Sequence, residues 1–114
     1  MIPRDEYGMI PAACRRAIIE WVINAELPGH FLQAILSNDL VEAAGRADHE
    51  NVQILHVYAS LLYNCLPKPS WGSHEAMMKW IDDDGNGRRG WSEAPESWRE
   101  EVDAVVRFRT SGVS

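Results

Sequence analysis

The chain reads as an all-α protein, a compact bundle of five or six short helices with no sheet. Three observations predict this. Apolar residues recur at three- and four-residue spacing through most of the chain, no segment sustains the alternation of a half-buried strand, and caps and breakers fall between the periodic segments. At 114 residues the chain suits one domain that buries a core without metal or disulfide staples.

The first ten residues, "MIPRDEYGMI", read as an irregular arm. From Pro11 the pattern turns helical: Cys14, Ile18, Trp21, Val22 and Ala25 share one face, Pro11 fits the first turn, and "LPG" at 27–29 ends the element. A second helix starts near Pro28 or Gly29, with Phe31, Leu32, Ile35 and Leu36 as its buried stripe. "SNDL" at 37–40 is N-cap chemistry, so "DLVEAAGRA" follows as a third short helix. Asp48 can cap a long fourth helix running to Pro67. Leu55, Tyr58, Ala59, Leu62 and Cys65 form one face of it, widened by Ile54, Val57 and Leu61, and so broad an apolar surface belongs at the centre of a bundle. After the connector "PKPSWG", Ser73 caps "HEAMMKWI", with Met77, Met78 and Ile81 inward and Trp80 beside them. A last helix, from about 95 to 109, turns Trp98, Val102, Val105 and Val106 to one side and Glu96, Arg99, Glu100 and Asp103 to the other.

The formal net charge is −6, which disfavours nonspecific association with nucleic acid or anionic membrane, since both require positive charge. Cys14 and Cys65 lie far apart in apolar stripes and read as free thiols. Prolines and acidic residues interrupt the N-terminus where a signal peptide needs an apolar run, and no stretch is long enough to span a bilayer. A soluble, cytoplasmic protein is expected.

One segment spells out chemistry. "DDDGNGRRGWSE", 82–93, places Asp82, Asp84, Asn86, Arg88 (through its carbonyl), Gly90 and Glu93 at the six ligand positions of a twelve-residue calcium loop, with Gly87 at the turn. The segment resembles an EF-hand loop over these residues only. Arg89 stands where that family places an aliphatic residue, no second loop exists to pair with it, and Pro95 falls inside the expected exiting helix. Asp, Asn and Gly are also what any tight polar turn recruits. No cofactor is expected, and calcium is the alternative.

The middle of the chain carries a wider likeness. "PGHFLQAILSNDLVEAAGRADHENVQILHVYASLLYN", followed by "WGS", resembles a group of small proteins from tailed phages and prophages. The pattern covers about 10–81, with Asn38, Asp39, Glu42, Arg46, Asp48, Asn51, Tyr63, Asn64 and Trp71 in its places. It implies a phage or prophage origin, hence the cytoplasm of a bacterial host, and no particular chemistry. The tail from Asp82 onward departs from the group's short form.

Read as residues, Asp39, Glu42 and Arg46 fall on one side of a helix, and Glu42 to Arg46 is the favourable i, i+4 order for an ion pair. Such a pair serves either as a clasp between helices or as part of a polar patch that docks a partner. Catalytic sets do not assemble. His56 lies seven residues beyond His49 where a helical zinc pair needs four, the cysteines lack CxxC spacing, and no glycine-rich loop joins a strand to a helix. The expectation is a small accessory protein that binds a host or phage macromolecule, a protein above all, through Asp39, Glu42, Arg46 and Asp48, with an exposed Trp71 as aromatic anchor. A calcium module is the runner-up. A small-ligand binder or an enzyme is the class least supported.

Overall fold

The computed structural model describes residues 6–85 and 90–111, and among these the all-α expectation holds. Seven α-helices follow one another: α1 (Ala12–Asn24), α2 (His30–Leu36), α3 (Leu40–Arg46), α4 (His49–Val52), α5 (Leu55–Asn64), α6 (His74–Asp82) and α7 (Arg99–Ser111). Short 3-10 turns lie at Glu6–Met9, Lys68–Ser70 and Glu96–Trp98. The extents of 42 × 36 × 22 Å make a slab about two helices deep.

The seventh helix arises because the long helix expected over 48–67 breaks at Gln53 and Ile54. Val52 before the break and Ile54 within it, both β-branched, weaken helical propensity there. The restart changes which face of α5 is inward. Ile54, Val57, Tyr58, Leu61, Leu62 and Cys65 are buried, whereas Leu55 is only half-buried and Ala59 is exposed. The expected inner stripe through Leu55 and Ala59 therefore lies at the surface.

Three expected caps form. The side chain of Asp39 accepts from the Glu42 amide at 3.2 Å, Asp48 from Asn51 at 2.7 Å, and Ser73 from Ala76 at 3.0 Å. Each satisfies one of the orphan amides of a first helical turn. The expected face of α1 is also correct for Ile18, Trp21 and Val22, which are buried. Ala25, however, follows the helix end in the left-handed region, at φ 54°. On α6 the buried pair is Met77 and Trp80, with Met78 and Ile81 only partly covered. Pro95 stands before the final helical segment as the cap of the Glu96–Trp98 turn, and α7 proper begins at Arg99. Trp98, Val102 and Val105 face inward as expected.

Residues 6–10 of the expected arm are docked to the bundle, while residues 1–5 lie outside the described part. Ile10 has no exposed surface, and Tyr7 bonds Ser60 on α5 at 2.9 Å between hydroxyls. Arg15 then holds the arm to α1 and α1 to α7, donating to the Ile10 carbonyl at 2.8 Å and pairing with Glu101 at 3.0 Å.

Tryptophans do the same for the irregular segments. Trp21 donates its indole N–H to the Ser70 carbonyl (3.1 Å), Trp80 to Trp21 (2.9 Å), Trp91 to Cys65 (2.8 Å) and Trp98 to Tyr7 (3.3 Å). Each ring supplies apolar area to the core while its single donor satisfies a loop or helix-end carbonyl. Trp91 and Trp98 also meet edge to face, with centroids 6.0 Å apart.

Candidate functional site

The polar patch is built by a helical hairpin. Asn38 ends α2 in the left-handed conformation, φ 63°, which asparagine tolerates better than most residues. Asp39 then caps α3 at once. So short a turn forces α2 and α3 side by side and antiparallel, and the first residue of α2 comes opposite the last of α3. Arg46 pairs with Glu42 one turn earlier, and its Nη1 lies 3.3 Å from Nδ1 of His30. Arginine can only donate, so in this contact Nδ1 of His30 is the acceptor.

Two open clefts meet at His30 and Arg46. One, of about 270 Å³, brings Asp39, Glu42 and Arg46 together with Gln33, Ser37 and His74. The other, of about 290 Å³, brings Arg46 and Asp48 together with Cys14, Phe31 and Asn51. Four of the five expected partner-binding residues therefore line one continuous surface. His30, Gln33 and His74 belong to it and were not singled out from the sequence. The hairpin turn was the available signal for His30, whereas His74 arrives from α6 only through the tertiary fold. The ion pair is half exposed on both sides, 49% and 50%, so it contributes only a few tenths of a kcal/mol to stability.

Trp71 does not join this surface. It is half-buried, packs against the core, lines neither cleft, and its indole nitrogen is buried without a hydrogen-bond partner. The expectation of an exposed aromatic anchor is corrected. The connector "PKPSWG" is pinned by its neighbour Gly72, whose amide donates to the Leu36 carbonyl at 2.8 Å with φ at +122°, a conformation that requires glycine.

Behind the second cleft lies a buried polar relay. The Tyr58 hydroxyl donates to Asn51 Oδ1 at 2.6 Å, and Asn51 Nδ2 reaches the Cys14 sulfur at 3.9 Å. Phe31 meets the Tyr58 ring edge-on at 5.3 Å. Burial pushes the Tyr58 phenol well above its ordinary range, helped by Cys14, Asp48 and Glu50. Burial likewise raises the Cys65 thiol. Both cysteines are free thiols, as expected.

The described residues of the acidic segment lie on either side of 86–89. Helix α6 ends at Asp82, Asp84 turns left-handed at φ 51°, and Gly85, at φ 68°, packs its backbone against Trp80. Asn86, Gly87 and Arg88, at loop positions 5, 6 and 7, lie outside the described residues. Trp91, at position 10, is buried where an exiting helix should begin, yet helical structure resumes only at Glu96. Glu93 consequently sits in a turn before that helix, beside the Ser92 hydroxyl. Among the described residues no three His, Cys, Asp or Glu side chains converge as a metal site would require, and no helix is long and apolar enough to cross a membrane.

Compared with protein-family models, curated proteins and solved structures, the chain matches none of them.

Proposed function

We propose that this is a phage- or prophage-encoded accessory protein that works by binding a host or phage protein at the surface centred on Arg46. The observation that carries the reading is the convergence of Asp39, Glu42, Arg46 and Asp48, joined by His30, at the junction of two open clefts. Glu42 and His30 hold the guanidinium in place, so little side-chain freedom is lost when a partner carboxylate or carbonyl meets it. The phage origin is supported by the pattern across 10–81. The likeness lies in the same helices that build the surface.

The test is affinity capture from bacterial host lysate, with and without phage infection. The wild-type chain should retain a defined protein that Glu42→Ala/Arg46→Ala does not, with the helical far-UV signal unchanged. Equal capture by both proteins would remove the patch from the binding function. Loss of the helical signal would assign the pair to structure.

A further inference from the structure

A second surface opens beside α3. Ile35, Leu40, Ala43, Leu55, Ala59 and Leu62 line an apolar groove of about 80 Å³ between α2, α3 and α5. It is the face of α5 that periodicity alone would bury. Tyr63 follows Ala59 by one helical turn on that same face and is 76% exposed, while Leu40 on the opposite wall is 69% exposed. Isolated exposed apolar residues need no explanation, but an apolar groove flanked by two large ones invites an interaction.

We infer that this groove is the interface of a homodimer, in which exposed side chains of each copy seat in the groove of the other. Two features select a second copy of the chain as the occupant. A two-fold interface requires one patch to carry both projections and recesses, and here Leu40 and Tyr63 flank the groove itself. The second feature is charge. Two molecules of net charge −6 repel unless the approaching faces lack carboxylates, because charges closer than about 8 Å are not screened at physiological salt. The two longest stretches of the chain without Asp, Glu, Lys or Arg are 27–38 and 51–67. They supply α2 and α5, two of the three walls of the groove. On the remaining wall Asp39 is engaged in capping α3 and Glu42 is paired with Arg46. The groove therefore carries a single carboxylate, Asp39, on an otherwise acidic molecule. A basic partner would find only that one carboxylate to recognise, whereas a second copy meets little repulsion.

Sedimentation velocity of the full chain over a dilution series tests this independently of the Arg46 surface. The wild type should show a species of twice the 12.9 kDa chain mass that dissociates on dilution. Ala59→Glu and Tyr63→Glu, both at exposed positions, should each abolish the dimer without changing the far-UV signal, and Tyr63→Ala should weaken it. Phe108→Glu, at an exposed position on α7, should leave it intact. A wild type that is monomeric throughout would overturn the inference. So would a dimer that survives both glutamates, or one that Phe108→Glu dissociates. A monomer whose Ala59→Glu variant loses capture of a different protein would assign the groove to that protein instead.

Discussion

Tyr58 makes the most demanding polar contact of the interior. Its hydroxyl is the donor for Asn51 Oδ1, and Asn51 is itself only 6% exposed. Removing that hydroxyl leaves a buried acceptor unpaired, so Tyr58→Phe should lower stability at neutral pH by about 1–3 kcal/mol. The same residue sets an alkaline dependence. Its phenol is held above the ordinary value by burial and by Cys14, Asp48 and Glu50, so the folded state binds this proton more tightly than the unfolded chain. Its contribution is complete below about pH 10 and is lost as pH rises further. Denaturant melts at neutral pH and near pH 11 should therefore show a smaller penalty for the substitution at the higher pH. An equal penalty at both would contradict that assignment. Ala25 offers a test of opposite sign. It holds φ at 54° while its amide caps α1, a conformation costly for any residue with a Cβ. Ala25→Gly should raise stability by about 0.5–1 kcal/mol, net of the added freedom of the unfolded chain, read as a higher midpoint in the same melts.

At the scale of elements, the caps separate folding from recognition. Asp48→Ala should cost about 1 kcal/mol by uncapping α4, whereas Asp48→Asn keeps a competent cap and should be nearly neutral in stability. If the Asp48 charge takes part in recognition, Asp48→Asn weakens partner capture without touching the melt. The 82–93 segment is tested at this scale too. With helical structure resuming at Glu96, Glu93 is not carried on an exiting helix as the last calcium ligand of an EF-hand is. Isothermal calorimetry should show no saturable uptake up to about millimolar calcium, the weak end of the natural range. Saturable heat that disappears in Asp82→Ala would establish the site. Helix existence and caps were legible here because local signals decide them: Asp39, Asp48 and Ser73 each stand three residues before the amide they accept from. The break at Gln53 was not legible. Uninterrupted apolar periodicity hides a change of face, and only the position of Ile54 against the other helices shows that Leu55 and Ala59 turn outward. Nor was the fate of Trp71 legible, because an aromatic in a connector carries no period to say which way it faces.

Over the whole molecule, aromatic bonds to backbone carbonyls hold together what short helices leave loose. Trp21, Trp80, Trp91 and Trp98 each tie segments distant in sequence, so the frame beneath the Arg46 surface is fixed without any disulfide. Composition and periodicity were enough for the all-α class. The assembly of the surface was only half legible: the short α2–α3 turn implies that His30 faces Arg46, but nothing local brings His74 or Cys14 there. The proposed role requires that surface to meet a partner. Its most direct test is a photo-crosslinking residue placed at Gln33, inside the cleft that also holds Asp39 and Glu42, and separately at Phe108 on α7, each exposed to infected and uninfected host lysate. A single host or phage protein crosslinked from Gln33 and not from Phe108 is the predicted result. Crosslinks from Phe108 alone, or from neither position, would contradict it.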